Sequence, residues 1–129
     1  MEYPTDLKYT KNDEWVRPDG GTGTAGLTDY AQEALSDIVY VELPSVGDSF
    51  KQGDAYASVE SVKAAAEVYL PVAGTITEVN EALSSSPETV NKDPHGAGWI
   101  VKFTIADAAE LAGLMDAAAY EKYCEERKA

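Results

Sequence analysis

The residue best placed to do chemistry is Lys63, which stands within Ser58-Val59-Glu60-Ser61-Val62-Lys63-Ala64-Ala65-Ala66, between two apolar, strand-like runs. Residues 55–59 alternate with the period of a half-buried strand, and Glu67-Val68-Tyr69-Leu70 reads as the returning one. The lysine is therefore expected at a hairpin tip. That tip has no Asn-Gly or Asp-Gly pair, so the reversal needs a turn type that ordinary residues can adopt. Ser61 before the lysine and Ala64 to Ala66 after it are small, which leaves the amine open to the active site of another protein. Taken alone, the pattern fits equally an ordinary exposed lysine that keeps a sheet edge soluble.

Other candidate chemistry is thin. His95 is the only histidine and sits in a Gly/Pro loop with no cysteine or second histidine at ligand spacing, so an exposed or loop-stabilising imidazole is expected rather than a metal ligand. A Ser-His-acid or Cys-His set would have to recruit that same residue, which argues against catalysis by the chain itself. Gly21-Thr22-Gly23-Thr24-Ala25-Gly26 satisfies the spacing of a dinucleotide-binding loop, but a turn precedes it and Leu27-Thr28 separates it from a short helix candidate. A glycine-rich strand or hairpin is the expected reading, with a small nucleotide-dependent enzyme as the rival. Cys124, at helical spacing from Tyr120 and Ala117, is expected to be packed, and Trp15 and Trp99 to be core or half-buried.

The elements that must carry Lys63 follow from turn residues and periodicity. Residues 7–10 and 14–17 form short strand candidates, with Pro18-Asp19-Gly20-Gly21 as a turn. A short helix over 30–35 is expected, capped by Asp29, and residues 37–43 read as a strand covered on both faces, closed by Pro44. Val46-Gly47-Asp48 and Gln52-Gly53-Asp54 are turns, and Pro71-Val72-Ala73-Gly74 leads into a strand over 75–79. Ser86 is a candidate helix cap with Pro87 at the first helical position. From Trp99 to Ile105, Trp99, Val101, Phe103 and Ile105 line one apolar face. Asp107 with Glu110 suggests a cap, and a last helix from Asp116 puts Ala117, Tyr120 and Cys124 on one side, with Arg127 and Lys128 complementing its C-terminal dipole. Strands at short intervals with turn residues between them predict an all-β sandwich or flattened barrel.

Composition bounds the partners. The chain has 129 residues, which by size predicts a single domain, and its hydrophobic fraction of 44% is ordinary for a globular protein. Ten basic against 23 acidic residues give a net charge of -13, which argues against nucleic-acid or anionic-membrane binding and fits equally partners with basic docking surfaces or an acidic surface that merely keeps a small protein soluble. Met1 to Asp6 shows neither a secretory nor a transit-peptide pattern, so a cytoplasmic protein is expected, or a mitochondrial-matrix one if this is a processed form. A single cysteine rules out an internal disulfide.

Glu60-Ser61-Val62-Lys63-Ala64 resembles the lipoyl-attachment site of the glycine cleavage system H proteins. Further matching pieces are Asn12-Asp13-Glu14-Trp15-Val16, Gly26-Leu27-Thr28-Asp29-Tyr30-Ala31-Gln32, Asp37 to Pro44, Pro71-Val72-Ala73-Gly74 and Asp93-Pro94-His95-Gly96-Ala97-Gly98-Trp99. The resemblance implies a mainly β barrel-sandwich hybrid of the lipoyl/biotinyl type, two antiparallel sheets with an N-terminal hairpin and a C-terminal helix. Its core would span about 23–105 and its C-terminal helical segment about 107–127. It further implies lipoic acid joined covalently to Lys63 by a lipoate ligase or a lipoyl/octanoyl transferase, with Glu60, Ser61, Val62 and Ala64 as the recognition motif. The implied partners are a pyridoxal-phosphate glycine decarboxylase, a tetrahydrofolate-dependent aminomethyltransferase and dihydrolipoamide dehydrogenase, between which a non-catalytic carrier would shuttle an aminomethyl group. Asn12, Glu14 and Glu67 are implied as a cleft for the loaded arm, Glu14 and Glu67 holding its cationic amine. Asp13 departs from the family pattern, where histidine is common, and His95 stands where an aromatic residue is more usual. The alternative is a lipoyl carrier or relay for another lipoate-dependent pathway. A biotin carrier would more often flank the lysine with methionines, where Val62 and Ala64 stand here, and the lipoyl domain of a 2-oxoacid dehydrogenase would more often read Asp-Lys-Ala and hang on a Pro/Ala-rich linker.

Overall fold

The structure, a computed structural model, describes residues 1–127. Its strands are β1 (Lys8–Tyr9), β2 (Glu14–Asp19), β3 (Thr22–Leu27), β4 (Ile38–Glu42), β5 (Ser49–Phe50), β6 (Ala55–Ser61), β7 (Ala65–Tyr69), β8 (Gly74–Val79) and β9 (Val101–Ile105). The helices are α1 (Asp29–Leu35), α2 (Ala82–Ser85), α3 (Thr89–Lys92) and α4 (Ala117–Arg127), with a 3-10 turn over Ala108–Gly113. A six-stranded antiparallel sheet runs β1-β2-β3-β9-β8-β5, and a three-stranded one runs β4-β6-β7; neither closes on itself.

Alternation along the strands builds the core. Val16, Ala25, Ile76, Val101 and Phe103 from the larger sheet meet Ile38, Val41, Val59 and Val68 from the smaller. Trp15, the neighbour of Val16, points the other way and is also fully buried, in a second cluster with Leu7, Tyr9, Tyr120 and Cys124 under α4. The C-terminal helix is thus needed to cover the outer face of β1 and β2. Cys124 is packed there, as its helical spacing suggests.

Thr22 to Gly26 lies in a strand, β3, not in a phosphate-binding loop, and Gly23 and Gly26 serve packing. A Cβ on Gly26 would lie 3.0 Å from the Trp15 indole, and one on Gly23 would lie 3.0 Å from the Phe103 ring. Aromatic rings lie against this strand where side chains would otherwise stand.

Several local expectations are corrected. The cap of α1 is Thr28, whose hydroxyl accepts the Ala31 N–H, while the Asp29 carboxylate accepts from the Gln32 amide and the Glu2 N–H. β4 is not covered on both faces: Ile38 and Val41 are buried, but Val39 and Tyr40 are 53% and 50% exposed, because β4 is an edge strand with a bulge between Ile38 and Tyr40. Alternation in β6 also breaks at a bulge, so Tyr56 and Ala57 are both buried. Ser86 ends α2 instead of starting a helix. Glu110 does not close a capping box with Asp107; its carboxylate accepts the Ala73 N–H at 2.8 Å and ties the 3-10 turn to the start of β8. Lys128 lies outside the described residues. No helix among the described residues is long and apolar enough to cross a membrane.

Candidate functional site

Lys63 stands at the tip of the β6–β7 hairpin and is exposed. The turn is built by Ser61, which supplies what a glycine turn would otherwise give. Its N–H donates to the Ala64 carbonyl at 2.7 Å, and its hydroxyl accepts the N–H groups of Lys63 and Ala64 at 3.3 and 3.0 Å while donating to the Ala64 carbonyl at 3.2 Å. The Val62 N–H donates to the Asp37 carbonyl at 3.0 Å and pins the tip to the segment that opens β4. Among the described residues no carboxylate pairs with the Lys63 amine. A side chain braced at its backbone and free at its end can be taken into another active site without unfolding the hairpin. Ser61→Ala is therefore expected to lower stability by about 1 kcal/mol or less, since the turn is exposed, yet to slow modification of Lys63 several-fold. Urea denaturation and the rate of acylation by a lipoate ligase check the two effects separately.

Glu60 is exposed on the outer face of the small sheet, level with Tyr40 on β4 and Ala65 on β7. The next outward row on that face is Glu42, Ser58 and Glu67.

Glu14 lies elsewhere and is 1% exposed. Its Oε1 accepts from the Thr10 hydroxyl at 2.7 Å and its Oε2 from the Tyr69 N–H at 3.0 Å. Burial pushes its carboxyl up to about 7, against the opposing pull of those two hydrogen bonds. It lines a cavity of about 230 Å³ together with Asn12, Gln52, Tyr69, Leu114 and Met115. Asn12 and Glu14 are thus brought together, whereas Glu67 belongs to a separate, more polar depression with Glu42, Asp48 and Tyr56. Tyr69 is four residues along β7 from the hairpin, about 13 Å at the usual strand rise.

The walls of this cavity come from both ends of the chain. Tyr9 and Met115 exchange backbone hydrogen bonds at 2.8 and 2.9 Å. α4 grips the loop that precedes Glu14: Tyr123 donates to the Lys11 carbonyl at 3.0 Å, Tyr120 to Asp13 at 2.9 Å, and Arg127 to both Asp13 oxygens at 3.1 and 2.6 Å. The Arg127 guanidinium also lies over Tyr30 and Tyr123, 4.2 and 4.0 Å from the ring centres. Asp13, at φ +65°, accepts a backbone conformation that aspartate tolerates better than most residues. Sequence reasoning missed Thr10, Tyr69 and this clamp; the one signal was a basic residue in the last turn of the C-terminal helix.

His95 is buried, its Nε2 accepting the Asp29 N–H at 3.2 Å and its carbonyl the Arg17 guanidinium at 3.1 Å, and burial holds its pKa below the usual value. It stabilises its loop. Among the described residues no group of histidine, cysteine or carboxylate side chains could hold a metal.

Two facing antiparallel sheets with one lysine displayed at a hairpin tip define the class: a barrel-sandwich hybrid of the lipoyl/biotinyl type. Residues 7–127 match the family model described as Glycine cleavage H-protein. The chain is 52% identical over 126 residues to the glycine cleavage system H protein of Acidobacterium capsulatum, covering 98% of this chain and 97% of that protein. It is 53% identical over 117 residues to the Thermotoga maritima one, covering 91% and 94%. The crystal structure of a glycine cleavage system H protein from Mycobacterium marinum superposes with a TM-score of 0.74 at 37% identity, covering 85% of this chain and 96% of that one. The chain belongs to the glycine cleavage H-protein family.

Proposed function

We propose that this protein is the non-catalytic lipoyl carrier of a glycine cleavage system, with lipoate joined to Lys63. The observation that carries the reading is the Ser61-braced hairpin, which displays an exposed lysine inside the family's attachment motif. The lipoyl group, when bound, supplies a disulfide for redox and one-carbon transfer. The carrier would serve in turn a glycine decarboxylase, a tetrahydrofolate-dependent aminomethyltransferase and dihydrolipoamide dehydrogenase, in the cytoplasm of a bacterial cell.

The chain's own residues have three tasks. Ser61 and the Val62–Asp37 bond hold Lys63 outward for the lipoate ligase or lipoyl transferase, with Glu60 on the same face for that enzyme to read. The Glu14 cavity offers apolar walls at Leu70, Leu114 and Met115 around one carboxylate, a fit for an aliphatic arm with a cationic end. A cation beside Glu14 would offset the cost of burying its charge and hold it ionised, so binding and deprotonation are coupled. Asn12 adds a polar group at the rim. Glu67, on the outer face, is left for contact with partners.

The test is intact-mass measurement and peptide mapping after incubation with lipoate, ATP and a lipoate ligase. One lipoyl group on Lys63, and none on the Lys63→Arg protein, is expected. Modification of another lysine, or of none, would overturn the proposal.

A further inference from the structure

The outer face beside Lys63 carries an apolar patch that neither the core nor the cavity uses. In β4, Ile38 pairs with Ser61 and Tyr40 with Glu60, which leaves Val39 as the extra residue of a bulge. The bulge turns two successive large side chains outward, Val39 at 53% and Tyr40 at 50% exposed, and Val62, at 65%, adjoins them at the tip. The Val62 N–H bonds the carbonyl of Asp37, one residue before β4, so the start of β4 with Val39 and Tyr40 lies beside the hairpin tip that carries Val62 and Lys63. Acid rings the patch: Glu60 stands opposite Tyr40, Glu42 and Glu67 fill the next outward row, and Asp37 precedes β4. From Asp37 to Leu70 the basic residues are Lys51 and Lys63.

We propose that Val39, Tyr40 and Val62 form the docking surface for the enzyme that acylates Lys63, an enzyme presenting an apolar centre with a basic rim. The inference rests on Lys63 being the lipoylated residue. Enzymes that work at the far end of the arm reach their reacting atoms without covering the hairpin. The acylating enzyme must take the amine itself into its active site, so its surface has to close over whatever surrounds the lysine's base. There the neutral Nζ attacks the carbonyl carbon of an activated lipoyl donor such as an acyl adenylate. The amide bond forms, the bond to the leaving phosphate oxygen breaks with its electron pair, and a proton from the amine passes to solvent. Burying three exposed apolar side chains supplies affinity, and the net charge of -13 with this acidic rim selects a basic partner.

The test uses the full chain with Tyr40→Ser, and with Val39→Ser plus Val62→Ser, in steady-state acylation by a lipoate ligase. KM for the carrier is expected to rise about tenfold or more in each variant with kcat little changed, and added salt to raise KM for the unsubstituted protein. Val46→Ser, an exposed apolar residue outside the patch at 62%, is expected to leave KM unchanged. Variants lipoylated to completion by long incubation are expected to be reoxidised by dihydrolipoamide dehydrogenase at the unsubstituted rate and to keep the parent's urea midpoint, and the unchanged midpoint is what a general folding defect would not allow. An unchanged KM for acylation, or an equal loss in both assays, overturns the docking surface. If the unsubstituted protein accepts no acyl group at Lys63, the reading of Lys63 itself fails, a result separable from the first.

Discussion

Glu14→Gln is expected to make the protein more stable at pH 8, by up to about 3 kcal/mol, while weakening its hold on a cationic ligand. The carboxyl titrates near 7 in the folded protein against an ordinary value of 4.5, because burial disfavours its charge more than the Thr10 and Tyr69 hydrogen bonds favour it. The folded state therefore holds this proton more tightly than the unfolded chain does. Its contribution to stability is greatest below 4.5, declines as pH rises from 4.5 to 7, and is level above that; the span corresponds to about 3 kcal/mol. Glutamine keeps the shape and has no charge to desolvate, and its oxygen can accept either the Thr10 hydroxyl or the Tyr69 N–H, which sets the figure of about 3 kcal/mol as an upper bound. His95, whose pKa burial lowers, acts in the opposite sense over part of this range, but does so in both proteins. Urea denaturation from pH 4.5 to 8 checks the sign: the difference between variant and parent should grow with pH and level off above 7. Parallel profiles would mean that Glu14 carries no such cost. The raised pKa makes Glu14 the carboxylate on which the proposed binding of a cationic arm would depend.

Gly74→Ala is expected to destabilise by about 3 kcal/mol or more and to lower Tm by about 10 °C, the other large effect in this molecule. Gly74 opens β8 opposite Ile105, and a methyl group there would land on the Thr104 carbonyl oxygen and 2.5 Å from a Phe103 ring carbon. Phe103 is fully buried and Thr104 is paired on both sides, with Thr22 of β3 and Thr75 of β8, so neither can move aside without disturbing the pairing that closes the core. The glycine of the Pro71-Val72-Ala73-Gly74 stretch is thus required by close approach, not by its φ. Gly21→Ala is the control, because a Cβ at Gly21 meets nothing within 4 Å. Thermal unfolding of the two variants should separate them clearly; equal Tm values would show that the sheet yields at Gly74.

What sequence could say and what it could not divides along the range of the forces involved. Lys63 at a hairpin tip, the buried face of β9 through Val101 and Phe103, and the packed side of α4 at Tyr120 and Cys124 were legible, because each is written in the period of a few adjacent residues. The dinucleotide-loop rival was weakened on local grounds and removed by β3, whose glycines face Trp15 and Phe103. The edge position of β4 was not legible, since Ile38-Val39-Tyr40-Val41 reads as a buried run until its bulged pairing with β6 turns Val39 and Tyr40 outward.

By itself the sequence determined the β class, the display of one amine and the acidic character of the surface, since these depend on turn chemistry, alternation and composition. Only the tertiary structure decided that Glu14 is buried with a raised pKa, that Glu67 lies apart from it, and that Asp13 is clamped by Arg127. Those properties arise from contacts 55 residues apart for Glu14 with Tyr69 and 114 apart for Asp13 with Arg127, and no local pattern encodes how much water such a meeting removes from a charge.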